Sequence, residues 1–180
     1  MSDKKISEKE ELWLLCFDDS LDTARSFLEI KDIETVTERE GDTLSAMASL
    51  VPVRCDSGEL GFYAYGVCTR PEHRGRGAFR RIMRLCEERA LSVGAAFVCL
   101  IAADERLRDT YRRMGYTVSV SLAHRASTND THISCLSQEF LSFAEPDGAL
   151  PDDSQFGLLK PLANINTNVG FAFSSHMGEI

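Results

Sequence analysis

The chain holds 180 residues, of which 43% are hydrophobic and 27% charged, the mixture of an ordinary globular protein with one compact domain. A domain of this size buries roughly 70% of the surface of its unfolded chain, so it needs no disulfide or metal staple. A net charge of −8 argues against a nucleic-acid binder, and no apolar run approaches the ~20 residues that span a bilayer.

Met1 to Glu11 is charged and lacks the apolar core of a signal peptide, so a soluble, cytoplasmic protein is expected. Cys16, Cys55, Cys68, Cys86, Cys99 and Cys135 are scattered, with no CxxC pair and no histidine at ligand spacing. Free thiols and no metal site follow.

Ile6 to Phe17 has helical periodicity, with Ile6, Trp13 and Phe17 on one stripe and Leu12 and Cys16 beside it. Asp18, Asp19 and Ser20 offer capping chemistry to a second helix through Leu21, Ala24 and Leu28. Strands are expected over Ile33 to Arg39, Thr43 to Arg54 and Glu59 to Thr69. Pro52 suggests an edge or a bulge in the second of them. A helix from Ala78 to Val93 carries the stripe Phe79, Ile82, Met83, Cys86, Ala90 and Val93, and Gly94 suits its C-terminus. Ala95 to Ile101 is continuously apolar, as in a strand covered on both faces. A short helix from Asp104 to Arg113 and a strand from Tyr116 to Leu122 come next. Further on, Thr131 to Leu136, Phe156 to Leu162 and Val169 to Phe173 read as strands, and Ser137 to Phe143 as a short helix. Glu145 to Gly148 and Asp152 to Ser154 read as turns. The fold class is α/β, with a βαβ unit at its centre.

The chemistry concentrates at the start of the long helix. Residues 70–84 contain six arginines and one acid, a local charge of +5 in an acidic chain, which suits one anionic ligand. Gly75 and Gly77 let backbone N–H groups approach a ligand closely, and the helix's first turn adds more of them. The arginines add forked donors for phosphate oxygens. A P-loop would need Gly-Lys-Ser/Thr at the helix start, where Gly77, Ala78 and Phe79 stand. A dinucleotide fingerprint would need a third glycine where Arg80 stands.

The segment Gly66 to Ala78, with Arg74-Gly75-Arg76-Gly77 at its heart, resembles the acyl-CoA binding segment of the GNAT superfamily of N-acetyltransferases. That family's pattern is Gln/Arg-x-x-Gly-x-Gly/Ala, and Phe79 stands at its last position. Tyr111 lies 37 residues beyond Arg74. Asp104 to Tyr116 is similar to the family's Asn-x-x-Ala-x-x-x-Tyr-x-x-x-Gly-Phe/Tyr segment, with Asp104 for Asn and Leu107 for Ala.

The resemblance implies a mixed, mostly antiparallel sheet flanked by helices. Residues 1–122 would form the acetyltransferase core, and 123–180 a C-terminal extension of the same domain on the acceptor side. It implies acetyl-CoA as co-substrate and transfer of the acetyl group to a primary amine. Val67, Cys68 and Thr69 would lie along the pantetheine. Arg74, Gly75, Arg76, Gly77, Ala78, Phe79 and Arg80 would surround the pyrophosphate, and Asp104 would line the same site. Tyr111 would give a proton to the departing thiolate, although it also shares an apolar face with Leu107 and Met114 and could simply pack. Tyr63, Tyr65 and Glu59 are candidates for the base. The alternative reading is a domain of the same fold that binds acyl-CoA as a sensor without turnover. The acidic remainder of the chain favours a cationic small-molecule or peptide amine as acceptor, with no nucleic acid or membrane as partner.

Overall fold

Residues 5–122, 131–144, 157–163 and 169–172 are described by a computed structural model. Two helices come first, α1 (Glu8–Cys16) and α2 (Leu21–Leu28). Ser7 and Glu10 exchange hydrogen bonds that cap α1. The other Glu10 oxygen receives Arg25 Nε at 2.8 Å, which ties α1 to α2. The cap leaves Ile6 outside the helix and exposed, so the buried stripe of α1 is carried by Leu12 and Trp13.

There follow β1 (Glu34–Glu40), β2 (Thr43–Cys55), β3 (Leu60–Thr69), α3 (Ala78–Ser92), β4 (Phe97–Ile101) and α4 (Glu105–Arg112). The remaining elements are β5 (Val118–Leu122), β6 (Thr131–Cys135), α5 (Gln138–Ala144), β7 (Gly157–Pro161) and β8 (Val169–Ala172). The helix periods and apolar runs therefore emerge as elements close to where the sequence puts them. Val93, expected on the α3 stripe, is the exposed C-cap residue instead. The turns expected at 145–148 and 152–154 lie outside the described residues.

The eight strands form one sheet in the order β1-β2-β3-β4-β7-β5-β8-β6. It is mixed and mostly antiparallel, the parallel pairs being β3–β4, β5–β8 and β6–β8. The late strand β7 slots between β4 and β5, and β6 also pairs with β2 through Val53–Cys55. Pro52 is neither on an edge strand nor at a bulge. It sits where the outer partner of β2 changes, after the β1 ladder ends at Leu50 and before β6 begins at Val53. Its carbonyl accepts from Leu136 N–H at 2.9 Å on that side, where a missing proline N–H breaks no ladder bond.

Side chains alternate across the strands, so the sheet has two packed faces. Met47, Val51, Tyr63, Phe97 and Cys99 face α1, α2 and α5, where they meet Trp13, Phe27 and Phe140. Ala46, Ala48, Leu50, Ala64, Val98 and Leu100 face α3 and α4, where they meet Ile82, Met83, Cys86 and Tyr111. Burial on both faces explains the unbroken apolar run of β4.

Gly61 pairs with Phe97 in the short β3–β4 ladder. A Cβ on Gly61 would stand 2.3 Å from the fully buried Phe97 ring. Overpacking a closed core costs about 1–3 kcal/mol. Gly61→Ala is expected to lower the free energy of unfolding by that amount, read by circular dichroism as a lower urea midpoint with an unchanged slope.

Candidate active site

β3 and β4 pair at Gly61–Phe97, Phe62–Val98 and Tyr63–Cys99. Beyond Tyr63 and Cys99 they do not pair, although β3 runs on to Thr69 and β4 to Ile101. The strands part, and a cavity of about 560 Å³ opens beside the free end of β3. Cys16 and Phe17 from the end of α1 line it, as do Val67, Cys68 and Thr69 of β3. So do Arg74, Gly75, Gly77 and Phe79 at the start of α3, and Leu107, Thr110 and Tyr111 of α4. This is the size range of small-molecule sites.

One extra residue shapes the β3 wall. Met47 pairs with Cys68, and Ser49 with Tyr65, so β3 carries three steps where β2 carries two. Gly66 sits in this bulge at φ +59. Trp13 packs so closely that a Cβ on Gly66 would stand 2.8 Å from its ring. A bulge breaks the local ladder and re-aims backbone groups, and here it also reverses the alternation of side chains. Before it, Phe62 and Ala64 face α3; after it, Val67 takes that face and Cys68 turns towards α1.

At the other end, Arg70, Pro71 and the short 3-10 turn Pro71–His73 lead to Gly75 and Gly77, both at positive φ. Space is open above Gly75. Gly77 is the N-cap of α3 and has no side chain to cap it. Arg81 N–H bonds Gly77 O at 3.0 Å, which leaves the N–H groups of Ala78, Phe79 and Arg80 without helical partners. The first turn of α3 also lacks an acidic residue, whereas α1, α2, α4 and α5 each have one. Arg80 and Arg81 stand there instead, against the helix dipole.

The six arginines divide their work in a way their spacing does not reveal. Arg70 is buried, donates to Leu44 O at 3.0 Å and pairs with Glu11 at 2.9 Å, so it fastens α1 to the end of β3. Arg81 pairs with Glu38, and Arg76 approaches Glu40 at 4.0 Å. Thus β1 neutralises part of the basic patch. Arg74 faces the cavity, with Nε on Thr69 O at 3.2 Å. Among the described residues Arg80 and Arg84 make no ion pair. Of the residues expected around a pyrophosphate, Arg76, Ala78 and Arg80 do not line the cavity, while Arg74, Gly75, Gly77 and Phe79 do.

Tyr111 lines the cavity from α4, yet is 5% exposed and packs against Phe79 and Tyr116 with ring centroids 5.3 and 5.7 Å away. Burial, reinforced by Cys86, pushes its phenol above the usual value, so it keeps its proton at neutral pH. Asp104 also lines the cavity, but its carboxylate caps α4 by accepting Leu107 N–H at 2.7 Å. Tyr116, the last residue of that motif, is fully buried and donates to Glu87 of α3 at 3.1 Å. Among the described residues the buried Thr69 Oγ1 has no hydrogen-bond partner.

Cys16, Phe17, His73, Arg106 and Thr110 also line the cavity. Nothing local in the sequence marks Cys16 or Phe17, because Cys16 meets Thr69 across 53 residues. Thr110 was within reach, one step from Tyr111 on the same helix. Among the candidate bases, Glu59 belongs to the β2–β3 hairpin at the far end of β3 and bonds Ser57. Tyr63 is buried in the core, and burial pushes its phenol well up. Tyr65 is half-buried, and burial followed by the charge of Asp19 raises it. Among the described residues no group of three or more potential ligands could hold a metal, and no helix is long and apolar enough to cross a membrane.

Solved structures with this architecture include the ribosomal-protein-S18-alanine N-acetyltransferase of Escherichia coli. It is 10% identical and has a TM-score of 0.55, with 89% of this chain and 90% of that one covered. A probable N-acyltransferase from Enterococcus faecalis V583 is 18% identical with a TM-score of 0.53 over 63% of this chain. A GCN5-related N-acetyltransferase from Anabaena variabilis is 16% identical with a TM-score of 0.52 over 64% of this chain. The match spans only 30% and 29% of the length of these last two. At such identities the likeness concerns the fold. No curated protein matches the chain. The sequence family described as acetyltransferase (GNAT) domain matches residues 1–119, which contain the bulged strand, the glycine turn, α3 and Tyr111. The chain belongs to the GNAT family of acetyltransferases.

Proposed function

We propose that this protein transfers an acetyl group from acetyl-CoA to a primary amine, by direct attack of the amine on the thioester. The observation that carries this reading is one cavity joining a bulged strand end to an acid-free, uncapped helix N-terminus. An anion at the start of α3 would satisfy the free N–H groups and offset the arginines against the dipole. The pyrophosphate of CoA has that charge, and Gly75 and Gly77 leave its approach open. The unpartnered Thr69 hydroxyl suits an amide of the pantetheine arm. Acetyl-CoA supplies an activated thioester.

This chain's residues would do the rest. A backbone N–H of β3 near Val67 or Cys68 can donate to a carbonyl oxygen as negative charge grows on it. Tyr111, kept protonated by burial, can donate to a departing thiolate. Phe17 brings the turn between α1 and α2 to the cavity, and that turn carries Asp18 and Asp19. Asp19 is held by Trp13 Nε1 at 2.7 Å. These acids, with the acidic charge of the chain outside residues 70–84, favour a cationic amine such as a polyamine, an aminosugar or a basic peptide.

Three measurements test the reading. Gly77→Val places a β-branched residue at φ +83 beside Arg81, so CoA binding is expected to weaken more than tenfold, about 1.4 kcal/mol; unchanged calorimetric affinity overturns the cradle. Tyr111→Phe keeps the ring's packing and removes the proton. Its kcat is expected to fall about 100-fold with little change in melting temperature, whereas a lower melting temperature at unchanged turnover makes Tyr111 a packing residue only. In an amine screen, productive cationic acceptors are expected to show KM rising with ionic strength, because salt screens the attraction. Acetylation confined to neutral or acidic amines refutes the charge argument, and tight CoA binding with no thiol release from any amine favours the sensor.

A further inference from the structure

Two cysteine side chains line the cavity, and the proposed acetyl transfer uses neither thiol. Cys16 ends α1 and is half-buried; Cys68 follows the bulge of β3 and is 5% exposed. Both line the cavity. As a thiol, Cys16 donates to Thr69 O at 3.4 Å. Arg74 Nε donates to the same Thr69 carbonyl at 3.2 Å, and Thr69 directly follows Cys68, so the Cys16 thiol is held beside Cys68 with a guanidinium on the oxygen it shares. Stabilisation of the charged form by Cys68 and then Arg74, with the charges of Arg74 and Arg70, lowers the Cys16 thiol to about 7 against the opposing effect of burial. Cys68 is pushed up in return, chiefly by Cys16.

The other cysteines differ in kind. Burial pushes Cys55 up to about 11, Cys86 up to about 12 and Cys99 well up. Cys135 is buried, with Sγ on Ser137 O at 3.6 Å. None of these four lines the cavity. A thiol that ionises readily, lines an open cavity and sits beside a second cysteine is the arrangement of an oxidisable pair.

We propose that Cys16 and Cys68 are a peroxide-oxidisable dithiol, open to oxidation when the cavity is empty and shielded when acyl-CoA fills it. The Cys16 thiolate attacks one peroxide oxygen; the O–O bond breaks, hydroxide leaves and Cys16 becomes a sulfenic acid. The Cys68 sulfur then attacks the Cys16 sulfur, the S–O bond breaks and the departing hydroxide takes the Cys68 proton. Two thiols and one peroxide thus give one disulfide and two waters. The shielding half rests on the acyl-CoA reading, since the thiols are reached through the cavity in which the thioester arm would lie.

The test treats the reduced full-length chain with stoichiometric hydrogen peroxide. Titratable thiols are expected to fall from six to four, with Cys16 and Cys68 peptides linked in a non-reducing digest. Cys68→Ser should accumulate a Cys16 sulfenic acid trapped by dimedone, and Cys16→Ser should keep its five thiols. Six remaining thiols, or oxidation of Cys55, Cys86, Cys99 or Cys135 at the same rate, overturns the pair. For shielding, the rate is measured again with saturating desulfo-CoA, which has no thiol to consume peroxide, and is expected to drop more than fivefold. An unchanged rate with desulfo-CoA bound by calorimetry overturns the shielding alone. An unchanged rate with no binding overturns the acyl-CoA reading and the shielding with it, while the linked peptides still establish the dithiol.

Discussion

The β3–β4 ladder stops after Tyr63 and Cys99, and the cavity lies against the stretch of β3 beyond it, at Val67, Cys68 and Thr69. A parallel pair that continued would bury its backbone groups in hydrogen bonds and leave no space between the strands. In the short ladder Gly61 lies so close against Phe97 that a Cβ there would stand 2.3 Å from the ring. Past it, each strand end is supported from outside. The bulge at Gly66 bends β3 beneath Trp13, and β7 pairs along the full length of β4 from Phe97 to Ile101. A strand from the C-terminal third therefore pairs β4 to its end, while the end of β3 is paired with β2 and lines the cavity.

Charge is arranged around that opening with the same economy. Among the described helices four carry an acid in their first turn, and only α3, whose N-terminus meets the cavity, does without. The cost of arginines at a positive helix end is offset partly by Glu38 and Glu40 of β1, and on this reading by the anionic ligand. Local rules broken in one place and kept elsewhere mark functional ground. The orphaned Thr69 hydroxyl belongs to the same pattern, because a buried polar atom without a partner is costly unless something else binds it.

Helix periodicity, apolar runs and turn residues are local signals, so the element order from α1 to β5 was legible in the chain. So were the two motifs, since a turn at positive φ and a helix N-terminus are built from adjacent residues: Gly75, Gly77 and the start of α3. Tyr111 could be placed on the correct helix face, though not in the cavity, by spacing alone. What the sequence determined by itself was thus the α/β class, the glycine-arginine turn and the tyrosine helix that mark the family.

Only the tertiary structure decided where the strands part, because hydrogen-bond pairing between β3 and β4 depends on residues more than thirty positions apart. It also decided that Arg70 is a buried fastener and Arg81 a partner of β1, since opposite charge at a distance leaves no mark on local spacing. That Cys68 shares the face packed by Cys16 follows from one inserted residue at Gly66, which turns Cys68 from one face of the sheet to the other. Alternation read from the sequence assumes an unbroken strand, and a bulge is defined by its partner strand rather than by its own residues.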